Sequence, residues 1–451
     1  TITVTNTSSV PYTGDLFSDD LSSTVAGTDF DPLASGAFTV DPSDANLVLT
    51  PAASSVSGKT STAGIPANST VTITYSGTGV DQQTLNGPPA ITSIDNTVTL
   101  PAGGPTCDGD CSTHNPLTPK VEISKSVTKV VNGTATNWDG QQVKPGDELT
   151  WTITVRNASS VPFTDGVLLT DNVAQALAGT DLDPSASPFV SSNTAWMTVS
   201  YDSGSTTVTA TATAAGLPAG QTVTLTYSAK VVSQQALNDG TVTAIDNVVV
   251  PGDGVDCVPA QGQDDQCSTH NPVAPSVAVS KAVTVSRNGS VVGHTGTAVQ
   301  PNDTLTWVIS VHNTGSVDYS GTALTDSLAS AIAGTDLSTS TVFTSSNAAQ
   351  LAANTSGWPT LSVVASGLAA GHTETITYSA TVKSRADLTA GGITTIDNTV
   401  VPGDVPTCES DCDTTNPVAP HLTLVKNVVN GSTGTATSAD WQLTAAAGTA
   451  T

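Results

Sequence analysis

A lysine, an aspartate and an asparagine recur together along this chain, each at a position where strand alternation turns it toward an apolar core. Lys125 lies in VEISKSV, Asp171 in GVLLTDNV and Asn247 in AIDNVVV, and the next copy repeats them as Lys281, Asp326 and Asn398. Residues two apart on a strand share a face. Val121, Ile123 and Val127 therefore point with Lys125, Val167, Leu169 and Val173 with Asp171, and Ile245 and Val249 with Asn247. Charged groups on a core face need a reason. An amine held among apolar side chains loses its proton more readily and becomes a neutral nucleophile, while a carboxyl group there holds a proton it can share. The plain alternative is that the lysines snorkel, the aspartates cap turns and the asparagines bond local backbone. The shared parity of all three residue types in both copies argues against that alternative.

The elements that position these residues read as short strands. Val71-Thr-Ile-Thr-Tyr75, Val223-Thr-Leu-Thr-Tyr227 and Ile376-Thr-Tyr378 alternate apolar and β-favouring polar residues between Gly, Pro, Asn and Asp turns. The only 3.6-residue stripes are the brief Val173 to Ala178 and Leu328 to Ala333 stretches. This pattern predicts an all-β fold of tandem, immunoglobulin-like antiparallel β-sandwiches in an extended array. ITVTN, ITVRN and ISVHN mark one recurring element, AGTD recurs at Ala26, Ala178 and Ala333, and TYS recurs at Thr74, Thr226 and Thr377. The period is about 151 residues, the spacing of Asn96, Asn247 and Asn398, which suits a domain array rather than a solenoid. The predicted division is a first sandwich over 1–100 lacking its N-terminal strands, a second over 120–250 and a third over 276–401. Disulfide linkers are expected at 101–119, 251–275 and 402–420. Residues 421–451 read as the opening strands of a fourth repeat or as a donor segment, because HLTLVKNVV sets Lys426 on one face with Leu422, Leu424 and Val428.

Composition narrows the function. With 12 basic against 38 acidic residues the formal charge is −26, which repels phosphate backbones and anionic lipid and excludes nucleic acid as a natural partner. No apolar run approaches the roughly 20 residues of a spanning helix, so direct membrane insertion is not expected. The six cysteines form three local pairs, Cys107 with Cys111, Cys257 with Cys267 and Cys408 with Cys412, which read as disulfides of an oxidising, extracellular setting. Zinc is the competing reading, since His114 and His270 follow the first two pairs. Thr415 stands at the third, and the spacing changes from copy to copy. Carboxylates gather near the cysteines at Asp108, Asp110, Asp256, Asp264, Asp265, Asp404, Asp411 and Asp413, where calcium could stiffen the joints; solvated acidic loops are the simpler expectation. No Ser-His-Asp, metal-ligand or phosphate-loop arrangement repeats, so neither a cofactor nor enzymatic activity is expected.

The order of motifs resembles the DUF11 and fimbrial isopeptide-forming D2 families of bacterial surface proteins. It runs Lys125, Pro145-Gly146-Asp147, Trp151 to Asn157, Thr170-Asp171 and Asn247, then Lys281, Pro301-Asn302-Asp303, Trp307 to Asn313, Thr325-Asp326 and Asn398. The tail LTLVKNVVNGSTGTATSADWQLTA resembles instead the opening of a collagen-adhesin B-type domain. The resemblance implies an exported stalk, adhesin or pilus of a bacterium or archaeon, in which the lysine amine attacks the asparagine carboxamide, ammonia leaves and an isopeptide bond ties first strand to last. Lys125 and Lys281 would be nucleophiles, Asp171 and Asp326 proton shuttles, and Asn247 and Asn398 electrophiles. The first repeat carries Asp19 and Asn96 but no lysine of its own. Lys426 of another copy would supply one if residues 420–451 added as a donor strand, giving head-to-tail polymerisation; a sequence cut from a longer array reads the same way. The expected function is a structural surface stalk or filament subunit whose partners are copies of itself or further repeats. The alternative is the stalk of a ligand-binding adhesin, with the host or surface ligand unidentified.

Overall fold

The computed structural model describes residues 1–43, 46–259 and 267–442. The chain divides into two compact bodies, Thr1–Ala274 and Pro275–Thr451. The first body contains two antiparallel β-sandwiches and the second contains one.

The second sandwich shows how the repeated residues are placed. One sheet runs Thr134–Asn137, Val121–Val131, Glu148–Asn157, Thr222–Lys230 and Val190–Ser191, with Val255–Cys257 lying parallel beside Val121–Val131. The facing sheet runs Met197–Asp202, Thr207–Ala212, Val167–Asn172, Ala244–Pro251 and Ser268–Pro272. Alternation holds along the long strands: in Glu148–Asn157 the inward Leu149, Trp151, Ile153 and Val155 are fully buried between partly exposed threonines. β-branched and aromatic residues suit such a half-buried pleated surface. Trp151 pairs across strands with Tyr227 and their rings stack at 5.4 Å between centroids, an arrangement the third sandwich repeats with Trp307 and Tyr378 at 5.3 Å.

The third sandwich has the same two sheets. Ser290–His294, Val277–Arg287, Thr304–Asn313, Thr373–Thr381 and Thr344–Ser345 face Leu351–Asn354, Thr360–Leu368, Tyr319–Ser327, Thr395–Pro402 and Asp413–Pro417. The first sandwich keeps the five-stranded sheet, Leu47–Ala52, Ser55–Thr60, Asp15–Asp20, Ser93–Thr99 and Ser112–Pro116. Among the described residues its opposite sheet has Ile2–Asn6, Ser69–Thr74 and Thr39–Asp41. Within these residues Ile2–Asn6 pairs with Ser69–Thr74 alone, whereas its counterparts Glu148–Asn157 and Thr304–Asn313 are flanked on both sides.

The AGTD motif has a structural meaning. The helices Ser22–Gly27, Ala174–Gly179 and Ala329–Gly334 leave the aspartate-bearing strands and pack on the asparagine-bearing ones. A Cβ on Gly179 would stand 2.7 Å from Cγ1 of Ile245, so only glycine lets the helix come so close. The motif's aspartates, Asp181 and Asp336, accept the backbone N–H of Lys230 and Thr381 at 2.6 Å, tying the helix exits to the tyrosine-bearing strands.

One expectation is corrected. The segments expected as linkers contribute sheet: Ser112–Pro116, Ser268–Pro272 and Asp413–Pro417 pair antiparallel with the asparagine-bearing strands. In the last two the inward residues are polar and buried, Thr269 and Asn271 or Thr414 and Asn416, while Ser112–Pro116 is exposed throughout, so no apolar alternation announces any of them. The described residues of the tail, 421–442, form no strand; Leu422 and Leu424 are exposed, and the segment's one regular element is a turn of 3-10 helix, Ser438–Asp440.

Candidate functional site

In the second sandwich Lys125 and Tyr227 come from one sheet, Asp171 and Asn247 from the other, and all four side chains meet in the core between them. Lys125 is paired with Ile153, which is paired with Leu225, and Tyr227 is the next inward residue on that last strand. Asp171 stands opposite Val249, two residues from Asn247 on the same face. Lys125 Nζ donates to Asp171 Oδ1 at 2.6 Å, and neither side chain has any solvent exposure. The Tyr227 hydroxyl donates to Asp171 Oδ2 at 2.5 Å and accepts from the Asn247 amide nitrogen.

The third sandwich repeats the arrangement. Lys281 Nζ donates to Asp326 Oδ2 at 2.6 Å and to the Tyr378 hydroxyl at 3.0 Å. Tyr378 donates to Asp326 Oδ2 at 2.6 Å and accepts from Asn398 Nδ2 at 2.7 Å. In both sandwiches the asparagine Oδ1 is buried without a hydrogen-bond partner. An orphaned acceptor of this kind costs roughly 1–3 kcal/mol.

Burial shapes the protonation of these groups. Loss of solvent pulls the Lys125 and Lys281 amines down to about 8, against the opposing pull of Asp171 and Asp326. Burial, reinforced by the neighbouring carboxylate, pushes the Tyr227 and Tyr378 hydroxyls well above their ordinary value, so they remain proton donors. The site thus pairs an amine that can be neutral near neutrality with a hydroxyl that bridges carboxyl and amide.

The first sandwich holds the same constellation without the amine. Tyr75 donates to Asp19 Oδ2 at 2.8 Å, and Asn96 Nδ2 donates to Tyr75 and, at 3.4 Å, to Asp19. Asp19 Oδ1 and Asn96 Oδ1 have no partner. Burial raises the Asp19 carboxyl, and the bonds from Tyr75 and Asn96 only partly offset it. A carboxyl raised in the folded state binds its proton more tightly there than in the unfolded chain, so its stabilising contribution is present at low pH and lost as pH rises through the raised value. The first sandwich is accordingly expected to lose stability as pH rises through that raised value, and Asp19→Asn to remove this part of the pH dependence. Hydrogen exchange of the Asp15–Asp20 amides across pH, corrected for intrinsic rates, measures this; an unchanged pH dependence in the variant would contradict it.

Lys426 donates to the Ser438 carbonyl at 3.3 Å and lies 5.3 Å from the centre of the Trp441 ring. The cysteines are bonded as expected: Cys107 to Cys111, Cys257 to Cys267 and Cys408 to Cys412. His114 and His270 turn away from them toward Asp95 and Asp246, at 2.6 and 2.5 Å. Among the described residues no three His, Cys, Asp or Glu side chains converge to hold a metal, and Asp264 and Asp265 lie outside those residues. The acidic segments thus offer no converged calcium cage in the part described.

The sequence reading missed the tyrosines, although TYS stood out as a repeat marker. Inward parity with Val223 and Leu225 was the available signal. It also missed Asn271 and Asn416, whose amides each donate to two backbone carbonyls, of Trp138 and Gln141 and of His294 and Thr297. Asn115, their counterpart in the first sandwich, is exposed and donates to the Ile94 carbonyl at 3.2 Å.

Residues 128–273 match the model of a family described as a domain of unknown function, DUF7927, rather than the DUF11 or isopeptide-forming families that the motifs resemble. No curated protein matches the chain. Among solved structures, the C-terminal domain of the Streptococcus pyogenes antigen I/II-family protein AspA is 10% identical with a TM-score of 0.27, covering 66% of this chain and 99% of its own. The C-terminal domain of the Streptococcus agalactiae antigen I/II polypeptide BspA is 12% identical with a TM-score of 0.26, covering 66% and 100%. The serine-rich repeat adhesion glycoprotein Srr1 of Streptococcus agalactiae is 10% identical with a TM-score of 0.19, covering 67% and 96%. At such scores the likeness carries no argument about function, which rests on the geometry of the chain itself.

Proposed function

We propose that this is a structural extracellular protein, a repeat stalk or filament subunit of a cell surface, whose second and third sandwiches are locked by Lys125–Asn247 and Lys281–Asn398 isopeptide bonds. Each bond forms once, upon folding, with Asp171 or Asp326 shuttling the proton; there is no turnover. The observation that carries this reading is the buried lysine–aspartate–tyrosine–asparagine set, built twice from equivalent strands. In each copy a carboxylate holds the amine and the amide oxygen is left unsatisfied. Polar satisfaction given up at equivalent places is a mark of sites kept for chemistry.

Intact mass of the reduced chain tests it. Two bonds are expected to remove about 17 Da each, the mass of departing ammonia, and peptide mapping should place them at the named pairs. An unshifted mass would sink the covalent reading and leave sandwiches held by packing and disulfides.

The head-to-tail form of this function would add a strand beside Ile2–Asn6, which among the described residues pairs only with Ser69–Thr74. Leu422, Leu424, Lys426 and Val428 have the spacing of Val121, Ile123, Lys125 and Val127, so a second copy's tail would add as a donor strand and bring Lys426 to Asp19 and Asn96. Such a heterologous contact propagates into filaments. Reducing, denaturing electrophoresis should then show a ladder that Lys426→Met abolishes. A strand supplied by residues ahead of Thr1 in a longer chain would give no ladder, and a ladderless result overturns the head-to-tail form.

A further inference from the structure

We infer that Tyr227 and Tyr378 are proton relays that deliver the leaving group's proton. The inference rests on the isopeptide reading above and adds to it residues that the motif order did not nominate. Three observations carry it. Each hydroxyl bridges the aspartate carboxylate and the asparagine amide nitrogen, the atom that must leave as ammonia. Each sits on the same sheet as the attacking lysine, facing the strand that bears the amide. The same bridge recurs in the first sandwich, where Tyr75 joins Asp19 to Asn96.

The step balances without an outside acid. Lys125 passes one proton to Asp171, and its lone pair forms the Nζ–Cγ bond to Asn247 while the carbonyl electrons move to Oδ1. Tyr227 gives its proton to Nδ2 as its oxygen takes the proton of Asp171. The carboxylate so freed removes the surplus proton from Nζ. The carbonyl re-forms, the Cγ–Nδ2 bond breaks, and neutral ammonia departs. Asp171 ends protonated and Tyr227 regains its hydroxyl. Among the described residues Asp171 and Asn247 share no direct hydrogen bond, and both bond to the Tyr227 hydroxyl. A hydroxyl whose own ionisation is pushed far upward fits this office, because it relays a proton without resting as an anion.

The test follows bond formation during refolding of the full chain from denatured, unreacted material, quenched at intervals and read by peptide mass. Each sandwich serves as the other's control. Tyr227→Phe should slow the Lys125–Asn247 bond by about 10²-fold or more, the usual worth of a positioned acid or base, and leave Lys281–Asn398 at its normal rate. Tyr378→Phe should do the reverse. In the unsubstituted chain the rate should fall in heavy water and should drop as pH rises past about 8, where Lys125 and Lys281 lose the proton that the relay needs. Normal bond formation in a well-folded Phe variant overturns the relay while sparing the isopeptide reading. Absence of the bonds from the unsubstituted chain overturns both. Should a Phe variant misfold, an unsubstituted chain with no solvent isotope effect in bond formation is decisive against the relay.

Discussion

Replacing Lys125 by methionine is expected to destabilise the second sandwich by roughly 3–5 kcal/mol, the cost of leaving the other half of a buried ion pair uncompensated. Methionine approximates the length of the lysine stem, so little packing is lost. What remains is Asp171, fully buried and deprived of its 2.6 Å partner. The double replacement Lys125→Met with Asp171→Asn removes both charges and should recover most of that loss, because an uncharged pair of similar volume is often no worse than the ion pair. Urea unfolding, followed by hydrogen exchange in Val121–Val131, separates the two outcomes. Equal destabilisation by single and double variants would show that the bare carboxylate costs little and that the loss comes from packing or from the proposed Lys125–Asn247 tie. Loss of the proposed covalent tie would enlarge the single variant's effect and prevent the full recovery.

Gly252→Ala should be comparably severe, at about 3 kcal/mol, for a different reason. A Cβ there would stand 1.7 Å from the carbonyl oxygen of Val167, while the backbone N–H of Gly252 already donates to Leu168 at 3.0 Å. The obstacle is main chain and cannot rotate aside. The asparagine-bearing strand would have to part from the aspartate-bearing one, misplacing Asp171 relative to Asn247. Gly204→Ala, whose Cβ would come no nearer than 3.4 Å to the Asp202 carboxylate, should change stability by less than about 0.5 kcal/mol. Thermal unfolding of the two variants in parallel provides the comparison, and a Gly252→Ala chain as stable as Gly204→Ala would refute the steric argument.

Strand parity in the sequence was enough to anticipate the inward placement of Lys125, Asp171 and Asn247 and the sandwich class. Period-two alternation is a direct consequence of backbone geometry, and these strands obey it closely. The same rule is blind where both faces are polar. Ser268–Pro272 has no apolar residue between its serine and its proline, so nothing in its hydrophobic pattern marks it as sheet, although Thr269 and Asn271 are buried. Gly252 likewise read as part of a linker, since a close backbone approach leaves no trace in composition. Tyr227 was visible as an inward residue, but its role depends on a hydroxyl reaching across the core to the opposite sheet. That distance is a tertiary quantity, and a single strand's pattern does not contain it.

The parallel alignment of Val255–Cys257 with Val121–Val131 has a mechanical consequence. Tension applied ahead of Val121 and beyond Cys257 pulls the two strands in opposite senses along their common axis, so their hydrogen bonds are loaded in shear and must yield together rather than peel one after another. The Cys257–Cys267 disulfide lets the force bypass the chain between those cysteines. A Lys125–Asn247 bond would shorten the route further, carrying tension straight from the first long strand to the asparagine-bearing one and leaving the strands between them slack.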